Sequence, residues 1–211
     1  TAPARAPANT GETLQSKIDK AKDGDTITLD KDYNESITID AGKTITIDLN
    51  GKTLTNVGNN SNYTICNKGT LTIKDSSADK TGKVTNSGLA ALVNEGTAIL
   101  EGGTFTSEKD VNYIVKNYGE MTIGGDVKVK YKPGDNRSFS LIENGWTNVD
   151  GKTFDNPVND SVEHTGNREA TLTINGGTFS GLGYNVSNRF WGNLTINGGT
   201  FKGSKHAAVF N

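Results

Sequence analysis

The chain is short of the residues that stabilise small folds by special means. It has 211 residues and a single cysteine, Cys66, so an intramolecular disulfide is impossible and a disulfide-stapled scaffold is excluded. Apolar residues make up only 32% and aromatics 7%, well below the usual apolar share of a globular domain. There are 4 prolines and 2 histidines. The 22 Lys and Arg against 24 Asp and Glu leave a net charge of −2, without the basic excess of a dedicated nucleic-acid binder. No apolar run approaches the ~18 residues of a membrane-spanning helix, so no membrane insertion is expected of this segment.

Glycine, asparagine and threonine together exceed a third of the chain. All three are poor helix formers, which disfavours a helical bundle. The β-branched residues are frequent and regularly placed, which disfavours simple disorder. The opening Thr1-Ala-Pro-Ala-Arg-Ala-Pro-Ala8 lacks an apolar signal core. Residues 1–9 read as a flexible Ala/Pro segment, such as remains after signal removal.

The regular placement is a repeat. Ala170-Thr-Leu-Thr-Ile-Asn-Gly-Gly-Thr-Phe-Ser-Gly181 recurs as Asn193-Leu-Thr-Ile-Asn-Gly-Gly-Thr-Phe-Lys-Gly203. Weaker copies begin at Gly69, Gly96 and Gly119. Within each copy Thr and Leu/Ile alternate, the period-two pattern of a strand with one face buried. The Gly-Gly that follows predicts a turn requiring positive φ or close backbone approach. A second column fixes the register: an apolar residue stands two places before an asparagine in Ile65/Asn67, Leu92/Asn94, Val115/Asn117, Ile142/Asn144, Val186/Asn188 and Val209/Asn211. The asparagine spacings are 27, 23, 27, 44 and 23, so one coil takes about 22–27 residues. The long interval carries a loop insertion over 145–168, in the turn after the asparagine.

A coil this short cannot bury its inner face alone; stacked on copies of itself it makes a continuous core. The expected fold is all-β: a single-stranded right-handed parallel β-helix, or β-solenoid, over 10–211 with about seven to eight rungs. Its handedness follows the general crossover preference. Asn67, Asn94, Asn117, Asn144, Asn188 and Asn211 are expected to form an inward ladder, each amide bonding its neighbours. Leu14, Ile18 and Ala21 follow helical spacing, with Asn9 and Glu12 as a capping box and Gly24 as a stop. A helix over 10–24 should cover the N-terminal end. The last rung, ending Ala207-Ala-Val-Phe-Asn211, carries no cap signal. It is expected to continue in a longer protein, or to associate edge to edge.

Leu14 to Thr55, with Asp23-Gly-Asp-Thr-Ile-Thr-Leu29 and Ile47-Asp-Leu-Asn-Gly-Lys-Thr-Leu54, resembles the start of pectate-lyase-like β-helix domains of bacterial cell-surface, adhesin-type proteins. The Leu-Thr-Ile-Asn-Gly-Gly-Thr-Phe units resemble their later rungs. The resemblance implies secretion, display on a bacterial cell surface, and adhesion to a cell-surface or host glycan or protein. The same fold hosts polysaccharide lyases and glycoside hydrolases, so a catalytic role stays open, as does that of a passive spacer.

A lyase of this fold would need clustered carboxylates for Ca²⁺ and a basic residue beside them. The outward residues before the asparagine column are Cys66, Val93, Lys116, Glu143, Ser187 and Phe210, with one acid among them. No catalytic residue is assigned and no cofactor is expected. The insertion holds Asp150, Asp155, Asp160, Glu163, His164 and Arg168, where a Ca²⁺ loop is conceivable, but the Asp-x-Asp spacing of known calcium loops is absent. The turn after the asparagine is more informative, because both tryptophans fall in it. Tyr118, Trp146, Phe190 and Trp191 follow their asparagines by one to three residues, and coils stack ~4.8 Å apart. Exposed rings there would form a sugar-stacking platform, with Arg189, Glu143 and Asn193 supplying polar contacts. The alternative is that these rings are the private core of the insertion. Cys66, on the outer side of its strand, reads as an inert thiol.

Overall fold

The computed structural model describes residues 11–56, 63–109, 112–131, 140–146, 148–149, 152–153, 169–181 and 183–211. The N-terminal segment 1–9 and most of the insertion lie outside these residues. The chain winds repeatedly through three columns of short parallel strands. The first column runs Thr26–Thr28, Thr44–Asp48, Thr70–Lys74, Thr97–Ser107, Glu120–Lys130, Ala170–Ile174 and Gly192–Ile196, in that order. The second holds Tyr33–Asn34, Thr53–Thr55, Lys83–Asn86, the far halves of the two long strands, Thr178–Ser180 and Thr200–Lys202. The third is a separate 7-stranded sheet: Ile37–Ile39, Ile65–Asn67, Leu92–Asn94, Tyr113–Asn117, Ser140–Asn144, Tyr184–Asn188 and Val209–Phe210. This mostly-β stack of parallel strands is compatible with a parallel solenoid.

Register is set by the inward side chains. In the third column Ile65, Leu92, Val115, Ile142 and Val186 lie directly over one another and are fully buried. In the first, Ile73, Leu100, Ile123 and Ile174 do the same. A one-residue slip would turn each set to the outside, so the apolar pattern allows only this alignment. The Gly-Gly pairs do not all break the chain. Thr97–Ser107 and Glu120–Lys130 each run through theirs as one strand, with a register shift between Leu100 and Gly102. Gly103 at this corner has φ 97°, and a Cβ there would lie 2.5 Å from Leu49 Cδ1.

The asparagines bind the coils to one another from inside. Asn67 Nδ2 donates to Asn94 Oδ1 at 2.7 Å, Asn94 to Asn117 at 2.8 Å, and Asn117 to Asn144 at 2.7 Å. The chain of bonds continues from Asn144 to Asn188 at 2.8 Å and from Asn188 to Asn211 at 2.7 Å. The same Nδ2 of Asn94 also donates to the Gly96 carbonyl of its own turn and the Glu120 carbonyl of the next coil. Asn67 and Asn117 repeat this three-way pattern. The glycine two places on packs against the coil below: a Cβ on Gly96 or on Gly119 would stand 2.1 Å from the preceding coil's carbonyl oxygen.

The N-terminal end is closed by helix α1, Leu14–Lys20, which is shorter than the 10–24 read from periodicity. Thr13 is the N-cap, its side chain accepting from Ser16 N. The Asn9 of the expected capping box lies outside the described residues. Glu35 accepts from the N–H groups of Leu14 and Gln15, and Lys43 donates to the carbonyls of Ile18, Asp19 and Ala21. Both helix ends are therefore satisfied by the first coils, which sets the helix length. The chain is already extended at Ala21, before Gly24. Leu14 and Ile18 are buried over the first coil. The Gln15 amide mimics a neighbouring strand, accepting from Thr38 N at 2.7 Å and donating to Thr38 O at 3.1 Å. Nearby, the Tyr33 hydroxyl and Lys17 hold the Asp30 carboxyl at about 2.

Buried carboxylates organise the corner between the first two columns. Asp48 accepts from the N–H groups of Asn50 and Ser76. Asp75 accepts from Gly51, Ser77 and Gly82 N–H and from the Ser77 hydroxyl. Burial pushes the Asp75 carboxyl up, but these hydrogen bonds outweigh it and hold the group below its ordinary value. A carboxyl depressed in the folded state stabilises the protein above its unfolded pKa of about 3.9, and that stabilisation is lost as pH falls through the folded value. Denaturant titrations should therefore show Asp75→Asn less stable than the wild type at pH 7, with the gap narrowing below about pH 4.

Candidate functional site

The outward positions before the asparagine column form a second row on the third sheet. Contrary to their outward pattern, several are buried: Val93, Lys116, Glu143 and Ser187 are all hidden from solvent. Lys116 Nζ lies 2.6 Å from Glu143 Oε1, and Arg189 Nε lies 3.2 Å from Glu143 Oε2. The Lys116 ammonium also stands 4.6 Å from the Tyr118 ring centroid and 5.3 Å from that of Tyr113. Removing a charge pair from water is costly. Here a carboxylate shared by two cations, with aromatic faces beside one of them, offsets that cost. Ser187, in the same row, shares a hydroxyl–hydroxyl bond of 2.6 Å with Ser140.

Over this row lies a small apolar cluster of its own: Ala90, Val93, Tyr113, Tyr118 and Trp146, with Tyr63 and Phe190 at its edge. Tyr118 and Trp146 are in contact, ring centroids 4.3 Å apart, and both are buried, Trp146 to 4% exposure. They do not form an exposed platform. Glu143 is likewise no free contact for a ligand, because both its oxygens are engaged. The main-chain N–H of Trp146 donates to the Phe190 carbonyl at 3.0 Å, tying the start of the insertion to the next coil. The insertion then forms an antiparallel pair, Asn148–Val149 with Lys152–Thr153. Asp150, Asp155, Asp160, Glu163, His164 and Arg168 lie outside the described residues.

Arg189, Phe190 and Trp191 form the turn of the last coil, and Asn193 lies in the strand Gly192–Ile196 that follows. Gly192 N–H closes it on the Arg189 carbonyl at 3.0 Å. A Cβ on Gly192 would meet Asn188 Oδ1 at 2.2 Å, so the glycine is required there. The residue before it, Trp191, has a φ of 54°. For a bulky residue that left-handed conformation costs ~1–2 kcal/mol. Trp191 is also 39% exposed, the more exposed of the two tryptophans. Beside it, Asn193 Nδ2 donates to Glu169 Oε2 at 2.7 Å on the surface. Two residues before it, Arg189 sits over the Phe210 ring at 5.5 Å.

The remaining polar groups are less suited to chemistry. Among the described residues no group of three or more His, Cys, Asp and Glu side chains could hold a metal ion. No helix among them is long and apolar enough to cross a membrane. Burial pushes the Cys66 thiol above its ordinary value; Glu95 and Asp40 add to this and Lys68 opposes it. A thiol so shifted is a weak nucleophile near neutral pH.

No protein-family model matches the chain, and neither a curated protein nor a solved structure matches it.

The two tryptophans should separate cleanly in mutagenesis. Trp146→Ala empties a buried position and should cost about 3–5 kcal/mol by denaturant unfolding. Trp191→Ala removes an exposed ring and should change stability by about 0.5 kcal/mol or less.

Proposed function

We propose that the chain is a non-catalytic right-handed parallel β-helix domain of a secreted, bacterial cell-surface protein, and that it binds glycan at the turn over Arg189–Asn193. The observation that carries this reading is Trp191. Its backbone is held in the left-handed region at φ 54° and 39% of its surface is open to solvent, a conformation of the kind that gathers at binding turns. A flat indole suits the apolar face of a sugar ring, and Asn193, Glu169 and Arg189 lie around it with hydrogen-bonding groups suited to hydroxyls. The pectate-lyase-like resemblance of the first coils and of the Leu-Thr-Ile-Asn-Gly-Gly-Thr-Phe units supports display on an envelope.

The polysaccharide lyase or glycoside hydrolase reading draws less support. A hydrolase needs one carboxyl acting as acid and a second as base or nucleophile. At this turn Glu143 is buried between Lys116 and Arg189, and Glu169 is exposed and bonded to Asn193.

A glycan array with the wild type and Trp191→Ala tests the proposal. Binding should appear with the wild type and weaken by about 1–3 kcal/mol in Trp191→Ala, at unchanged melting temperature. No ligand on the array would leave a passive spacer. Release of reducing or unsaturated ends from neutral or anionic polysaccharides, with or without Ca²⁺, would replace the binding reading with a catalytic one.

A further inference from the structure

Four asparagines in the chain are followed directly by glycine: Asn50, Asn144, Asn175 and Asn197. Such pairs carry a chemistry of their own. Glycine has no Cβ to keep its main-chain nitrogen away from the preceding side chain, so that nitrogen can attack the asparagine amide carbon. The fold treats the four pairs differently. Asn144 is buried, its Nδ2 donates to three acceptors, and the Gly145 N–H donates to the Asn117 carbonyl at 2.9 Å. Asn50 Nδ2 donates to the Leu29 carbonyl, and the Gly51 N–H donates to Asp75 Oδ1 at 2.9 Å. Asn197 Nδ2 donates to Asn175 Oδ1, and the Gly198 N–H shares the Ile174 carbonyl with the N–H of Asn197. In these three pairs both the attacking nitrogen and the departing Nδ2 are held by hydrogen bonds.

Asn175 is the exception. Its side chain is exposed, in the turn between Ala170–Ile174 and Thr178–Ser180. Neither its Nδ2 nor the Gly176 N–H donates to a partner among the described residues. Its Oδ1 accepts from Asn197 Nδ2 at 2.8 Å. The turn has coils on both sides: Gly176 stands over Gly125, and Gly198 over the Asn175 carbonyl.

We propose that Asn175 is a self-modification site of the folded chain, converted to aspartate and isoaspartate with water as the only co-reactant. The Gly176 nitrogen gives up its proton and attacks Cγ. The N–Cγ bond forms, negative charge gathers on Oδ1, and the Cγ–Nδ2 bond breaks. Nδ2 leaves as ammonia, taking up a proton through water. The Asn197 amide donates at the oxygen where charge develops, which lowers the barrier. Water then opens the cyclic imide. Opening at Cγ gives aspartate; opening at the main-chain carbonyl gives isoaspartate, whose backbone runs through Cβ and Cγ. Either product adds a negative charge to the outer face. The isoaspartyl form also lengthens the turn that feeds Thr178–Ser180, a strand stacked in register between residues 128–130 and Thr200–Lys202.

The test incubates the folded full chain in mildly alkaline buffer and maps it by peptide mass spectrometry. The same chain in denaturant and the variants Asn175→Gln and Asn197→Ala run beside it. In the folded chain Asn175 should convert first, with Asn50 and Asn144 slower by about tenfold or more, because reaction there requires local opening. In denaturant the four pairs should react at similar rates. Asn175→Gln should remove the earliest acidic species, and Asn197→Ala should slow conversion of Asn175 by about threefold. The isoaspartyl fraction should exchange its Thr178–Ser180 amides faster than the unmodified chain. An unchanged rate in Asn197→Ala would overturn the part given to Asn197. Conversion of Asn50 or Asn144 in the folded chain as fast as Asn175, or an intact Asn175 after the denatured chain has converted, would overturn the proposal.

Discussion

The structure depends on a row of buried amides, of which Asn67, Asn94, Asn117 and Asn144 each donate to three acceptors. A polar side chain inside a core is costly unless hydrogen-bonded. Asn94, fully buried, donates to its own turn, to the next asparagine and to the next coil's backbone. That geometry holds only if successive coils are in strict register and at strand spacing. The glycine columns follow from the same closeness, since the carbonyl below occupies the space a Cβ would take at Gly96 or Gly119. So does the tolerance of the long insertion. Asn144 and Asn188 are 44 residues apart in sequence, yet the bond between them closes at 2.8 Å.

This logic explains which features were legible in the sequence. The apolar columns and the asparagine column recur at one offset, and periodicity reports directly which side chains face inward. The outer side was misread for a physical reason. Alternation says that Lys116 and Glu143 point away from the core, but not that something else covers them. Lys116 and Glu143 are buried because tyrosines and Trp146 from neighbouring turns close over the sheet. That contact joins residues from separate coils, and no local pattern encodes it. The helix was overextended because its limits are set by Glu35 and Lys43, which are remote in sequence. The backbone conformation of the turn at Trp191, with φ 54°, was not legible, because no local pattern encodes it.

Stability thus resides inside the stack, and the binding proposed above is assigned to the turns. Inward columns repeat with little variation because stacking fixes them. The turns after the asparagines carry the variable material: the aromatic cluster, the insertion and Trp191. A rigid stack that holds variable turns at fixed spacing suits a binding surface, because contact residues are pre-positioned and little ordering entropy is lost on association.

The central claim is that the ladder amides act on one another, so that neighbouring coils are held as a unit. A double-mutant cycle on Asn94 and Asn117, each replaced by leucine, measures this directly by denaturant unfolding. Removing either partner takes one hydrogen bond from the other's buried amide, and the second replacement then removes that weakened group. The double variant should therefore cost about 1–3 kcal/mol less than the sum of the single ones. Costs that simply add, to within about 0.5 kcal/mol, would show that the asparagines serve their own turns and that the stack is held by apolar burial alone.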